Sequence, residues 1–160
     1  MDVTGPTIPV PKDVLARRSG HEDDLHPAVV NGESNPDSVQ DINFQSNTRA
    51  VVCSYGRGND AESNIDDSSY AVCWSSQGEP GFNGEPVCDV SSWLLQPIPT
   101  TSNPNVTFNL TSPAAANSTV YCVVRVANRA GTVTHAYSNG LTFSECSSLQ
   151  YATVTRHCGN

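Results

Sequence analysis

"STVYCVVRVANRAGTVTHAYSNG", Ser118 to Gly140, is the stretch on which the fold turns. In an extended chain Val120, Cys122, Val124 and Val126 fall on one face, and Tyr121, Val123 and Arg125 fall on the other. Both faces are partly apolar, so the run reads as a central strand covered on two sides, with Arg125 near the edge of the covered region. Beyond it, Asn128 and Gly131 in "ANRAGT" are residue types that supply positive backbone dihedrals, and a hairpin loop is expected there. "SNG", Ser138 to Gly140, predicts a second tight turn and hence three antiparallel strands in succession.

Working outward, short β-branched and aromatic runs alternate with turn clusters. They are "RAVVCSY" from Arg49, "SSYAVCWSS" from Ser68, "EPVCDVSSWLL" from Glu85, "NVTFNLT" from Asn105, "GLTFSEC" from Gly140 and "LQYATVTRHC" from Leu149. With the two runs already described they make eight candidate strands and no convincing helix. The polar "GRGNDAESNIDDS" between the first two has room for one helical turn at most. The fold class expected is all-β: a disulfide-stabilised antiparallel sandwich or barrel over residues 49–160.

Residues 1–48 differ in kind. Pro6, Pro9, Pro11, Pro27 and Pro36 punctuate scattered charges with no apolar period. Such a segment cannot bury enough surface to offset its ordering entropy, so it is read as a disordered or extended N-terminal arm. Within it, Leu15, Ala16, Arg17 and Arg18 form a dibasic site of the kind that kexin-type secretory proteases cut. Such an enzyme needs an extended, accessible substrate, which a disordered arm supplies. Residues 1–18 are therefore expected to be a propeptide-like leader, and 19–48 an acidic arm.

The chain holds 160 residues, within the roughly 100 to 200 of one domain. Its formal net charge of −8 repels phosphate backbones, which disfavours nucleic acid as a partner. No run approaches the roughly 18 to 20 apolar residues that span a bilayer, and membrane insertion is not expected. Met1 is followed by no signal-type apolar core, so it stands either as a cytosolic start or as a start that replaces a removed signal peptide.

Cysteines decide the compartment. Cys53, Cys73, Cys88, Cys122, Cys146 and Cys158 are even in number and contain no CxxC pair. Structural zinc usually draws two ligands from one short turn, so three disulfides are expected instead of a metal, with their connectivity open. Secretion follows, because disulfides persist in oxidising compartments.

Three sequons, at Asn105, Asn109 and Asn117, are candidate glycosylation sites. Asn105 and Asn109 share one strand face while Val106, Phe108 and Leu110 point the other way, so the asparagines are expected in solvent. "RGND", Arg57 to Asp60, carries an inserted Asn59 relative to an RGD tripeptide and is read as a loop. Trp74, Trp93 and Phe82 are assigned to the core. No hydrolase, zinc-protease, nucleotide or dinucleotide motif is present, no cofactor is expected, and an enzyme is not the favoured reading. The one catalytic constellation weighed is His135, Glu145 and Arg125, the residue types of a small secreted ribonuclease.

Two resemblances follow. Asn105 to Phe143 is similar to the last three strands of fibronectin type III and immunoglobulin-like domains. That likeness implies an inter-sheet bridge between Cys53 and Cys122 with Trp74 as packing partner, and an extracellular recognition module binding through loops such as Asn128 to Gly131. The dibasic "LARR" with six cysteines resembles the proteinaceous necrotrophic effectors of cereal-infecting fungi such as Parastagonospora nodorum. That second likeness implies a secreted, monomeric, non-catalytic toxin that binds a host extracellular or membrane protein and induces cell death.

Overall fold

The computed structural model describes residues 4–14, 42–45, 47–80, 84–100 and 104–144. Among the described residues nine strands follow in order: β1 (Lys12–Val14), β2 (Phe44–Gln45), β3 (Ala50–Ser54), β4 (Ala71–Ser75), β5 (Leu94–Leu95), β6 (Asn105–Asn109), β7 (Thr119–Ala127), β8 (Val133–Tyr137) and β9 (Leu141–Phe143). The all-β expectation holds. One sheet has the order β1-β3-β6 and is antiparallel. The other runs β2-β9-β7-β4-β5, with β8 also pairing β7.

The β7 pattern predicted the core correctly. Its Val120, Cys122, Val124 and Val126 join Val72 and Trp74 from β4 and Val51 and Cys53 from β3 in one buried cluster between the sheets. Trp74 stacks on Phe108 of β6 with ring centroids 5.6 Å apart. The opposite face of β7 is covered too, since Val123 is fully buried.

Two disulfides lie on opposite faces of this sheet. Cys53–Cys122 joins the middle strand of the smaller sheet to β7, and Cys73–Cys88 ties the outer face of β4 to the segment leading into β5. Neighbours in a strand point opposite ways, so Cys73 faces outward where Trp74 faces inward. Cys146 and Cys158, expected to form a third bridge, lie outside the described residues.

Four expectations change. First, strand pairing is present in the segment read as a disordered or extended arm without strands of its own. Residues Lys12–Val14 pair antiparallel with β3, and Phe44–Gln45 pair with β9. "KDV" and "FQ" carry no period of their own, and pairing to a preformed edge places them. Second, the β2–β9 pairing is parallel, so the larger sheet is mixed and not purely antiparallel.

Third, "SNG" is not a hairpin turn. Both β8 and β9 run antiparallel to β7, and the register shifts by one residue between the pairs Val123–Tyr137 and Val120–Leu141. A single extra residue on one strand is a β-bulge, so β8 and β9 are two halves of one bulged strand. Gly140 sits in it at φ +99°, where a Cβ would come within 2.7 Å of the Tyr121 ring. Only glycine fits both the dihedral and the space.

Fourth, Asn128 serves the hairpin through its side chain and not through a positive φ. Gly131, at φ +87°, supplies that dihedral. Asn128 Oδ1 accepts from Thr132 N at 2.8 Å, and its amide donates to Asp60 Oδ2 at 3.0 Å and to Thr4 O at 3.1 Å.

Candidate functional site: a groove on the outer face of the β7–β8 pair

Residues on the outer face of β7 and β8 are set by the register. Arg125 lies directly opposite His135, and Val133 and Tyr137 follow at two-residue steps along β8. Among the described residues no third strand layer covers them. The irregular segment 84–93 crosses the outer face instead, and a disulfide and four hydrogen bonds near Cys88 hold it there. Cys88 is bonded to Cys73, and the Asp89 carboxylate accepts from Ser76 N at 2.8 Å and from the Ser76 hydroxyl. Trp74 N donates to Ser91 Oγ at 3.0 Å, and Val90 N donates to Trp74 O at 3.2 Å. Burial alone would raise the Asp89 carboxyl, but hydrogen bonds from Ser76 and from the Asp89 and Val90 backbone together outweigh it and hold the group below its ordinary range.

Fixed in this way, the segment delivers Trp93 to the sheet. The Arg125 guanidinium lies over the Trp93 ring at 5.2 Å from its centroid, and the His135 ring is 6.0 Å away, tilted by 31°. Gly84, Glu85, Arg125, Val133 and His135 line a groove of about 470 Å³. His135 sits below its ordinary value, chiefly through burial, with Glu85 opposing that shift and Arg125 adding to it. Tyr137 is raised, first by burial and then by the carboxylates of Glu79 and Glu85. The groove therefore presents a guanidinium, an imidazole biased toward its neutral form and a carboxylate within one open surface, with the Trp93 ring packed against the guanidinium. That set can hydrogen-bond and stack against peptide groups of either charge.

The structure disperses the other predicted positions. Asn105, Asn109 and Asn117 are all exposed, and along β6 Asn105, Thr107 and Asn109 face solvent while Val106 is buried. Leu15, Arg17, Arg18, Phe82 and Glu145 lie outside the described residues. Arg125 and His135 of the proposed ribonuclease set are brought together, with Glu85 beside them in the groove.

In "RGND", Asp60 is buried and caps the next turn, accepting from Glu62 N at 3.0 Å and Ser63 N at 2.9 Å. It is a structural residue of the loop, not a presented carboxylate. Trp93, assigned to the core, is half-buried and packs against Arg125 and His135 of the groove. Glu85 and Gly84 were not singled out. The usable signal was the 15-residue spacing of Cys73 and Cys88, which bends the intervening chain back onto β4.

The described residues form no cluster of three or more His, Cys, Asp or Glu side chains that could hold a metal, and no helix among them is long and apolar enough to cross a membrane. Fold and groove together define a two-layer, cystine-bridged β-sandwich with an open polar and aromatic surface on its larger sheet. The chain matches no protein-family model, no curated protein and no solved structure.

Proposed function

We propose that this chain is an extracellular recognition module that binds a protein partner through the groove lined by Glu85, Arg125 and His135, with Trp93 packed against the last two. The observation that supports the reading is the framework beneath the groove. The smaller sheet runs β1-β3-β6, the larger contains β5-β4-β7-β8, a cystine joins β3 to β7, and Trp74 stands on β4. Immunoglobulin-type sandwiches share this arrangement of sheets, bridge and tryptophan. A fold hosts many functions, so the groove carries the binding claim and the framework supplies its rigid base. Two cystines in so short a stretch fit an oxidising compartment.

Fluorescently labelled, oxidised protein applied to intact plant protoplasts tests the reading. Saturable surface binding that falls at least tenfold for Arg125→Glu, with the fold unchanged by circular dichroism, is the expected result. Binding equal in Arg125→Glu and the parent protein would remove the groove from the account. The necrotrophic-effector expectation names a setting for the same module and rests on Leu15 to Arg18 and the cysteine number. Infiltration into leaves of several host lines checks it, genotype-dependent necrosis being the supporting outcome and uniform silence the opposing one.

The ribonuclease reading keeps one specific observation, the adjacency of Arg125, His135 and Glu85. Against it, the Arg125 guanidinium lies over Trp93, and among the described residues the carboxylate beside His135 is Glu85 and not the Glu145 of the expected set. Incubation with RNA is expected to yield no cleavage. Cleavage that disappears in His135→Gln would replace the binding reading with this one.

A further inference from the structure

The dibasic site implies that Met1 to Arg18 leaves the mature protein, yet the first part of that stretch is built into the sandwich. Starting beside the β8 hairpin, Gly5 packs so closely on Thr134 that a Cβ there would lie 2.5 Å from its hydroxyl. Thr4 O accepts from the buried Asn128 amide, whose other partner is the buried Asp60. Thr7 and Asn59 exchange two backbone hydrogen bonds, at 2.9 and 2.8 Å. Ile8 packs on the core, and a Cβ at Gly58 would lie 2.7 Å from its Cγ2. Pro11, Asp13 and Val14 are buried, and β1 completes the edge of β3. The segment therefore crosses from the larger sheet to the smaller and closes one end of the sandwich.

The chain also returns to the place it leaves. Ile42 N donates to Asp13 O at 2.9 Å, so residues 15–41 begin and end at adjacent points of the fold. The contacts of Thr4–Val14 described above are made with residues beyond that connection. The first cysteine is Cys53, so no disulfide holds the segment either.

We infer that the β3 edge, together with Asn59, Asp60 and Asn128, is a strand-docking site whose occupant is Thr4–Val14, and that this occupant stays bound after the chain is cut beyond Val14. Resting on the dibasic reading, hydrolysis adds water across the Arg18–Ser19 bond and leaves a carboxylate on Arg18 and an amine on Ser19. The product is a two-chain protein held by strand pairing, not a shortened one. Scission removes the high effective concentration of a tethered strand, of millimolar order, so retention depends on the docking contacts alone.

The full oxidised chain treated with a kexin-type protease provides the test, read by native and by denaturing mass spectrometry. The expected result is one native species that retains both pieces and separates into 1–18 and 19–160 only on denaturation. A native species of 19–160 alone overturns the docking inference, whereas an uncut chain overturns the dibasic reading. A second form, with the recognition sequence of an unrelated site-specific protease placed between residues 28 and 32, then tests docking without Arg17 and Arg18, and release of the upstream piece there overturns it as well. In that form Thr7→Pro removes the N–H that bonds Asn59 O and is expected to weaken retention about tenfold. Unchanged retention would show that the site is not the one described.

Discussion

The two faces of the β4–β7 pair are closed by different means. Inside, Val72, Trp74, Cys122, Val124 and Val126 meet the regular rows of β3 and β6, and all of these residues are buried to within a few per cent. Outside, Cys73 and Val123 are equally buried, but Arg125 and His135 on the same face are only half-covered, because their partner is an irregular segment. A strand presents alternate side chains at a fixed repeat and can seal a facing sheet row by row. An irregular segment has no repeat, so it is pinned at Cys88, Asp89 and Ser91 and leaves a polar gap beyond. The groove is that gap.

Removing each cystine separately breaks the comparison most directly. Cys53→Ala with Cys122→Ala opens a loop of 69 residues and leaves a gap in the shared core, so a loss of about 4 kcal/mol and a clear fall in melting temperature are expected by calorimetry. Cys73→Ala with Cys88→Ala opens a loop of 15 residues and is expected to lose about 3 kcal/mol. The contrast lies in what accompanies the loss. The outer pair should raise amide exchange selectively in residues 84–93 while the core amides of β7 stay protected, and the inner pair should lower protection throughout both sheets. Equal, uniform effects from the two pairs would erase the distinction between the faces.

A smaller effect sharpens it. Trp93→Ala removes the ring beneath Arg125 and is expected to cost on the order of 1 kcal/mol, because the guanidinium keeps its access to water. Trp74→Ala, one layer away, should cost about 3 to 5 kcal/mol, since it empties a dry site against Phe108. Urea titrations of the two variants give the ratio directly.

The smallest effect is in pH. His135 has a folded value below its ordinary 6.5, so its neutral form is the one the fold prefers. Its contribution is complete above about pH 6.5 and declines as the pH falls through the lowered folded value, where the unfolded chain binds the proton more readily. A stability profile between pH 7.5 and 4.5 should therefore slope downward more steeply in the parent protein than in His135→Gln. Parallel profiles would show that the outer face does not oppose the charge.

Legibility in the sequence divides along the same line as the two faces. The inward set of β7 and the outward asparagines of β6 were both readable, because each follows from a strict two-residue alternation inside one strand. The bulge at Ser138–Gly140 was not, since "SNG" is equally good chemistry for a hairpin turn and for a bulge, and only the continued pairing of β9 with β7 separates them. The groove was readable by halves. Arg125 and His135 were grouped as one candidate set and do lie opposite each other on β7 and β8, but their carboxylate neighbour is Glu85, which reaches them through the Cys73–Cys88 bridge and not through any strand pattern.

By itself the sequence determined the alternation of each long strand, the all-β class and an oxidised cysteine framework, for these are properties of the local backbone and of the side chains it carries. Which edge receives "KDV", which cysteines meet, and which carboxylate stands by His135 were decided only by the tertiary structure. A three-residue strand has too little surface to specify its own partner; Val52, Cys53 and Ser54 pair with it, and Asn59 and Asn128 hold Thr7 and Thr4 just upstream, all of them residues far along the chain that only the fold brings within reach.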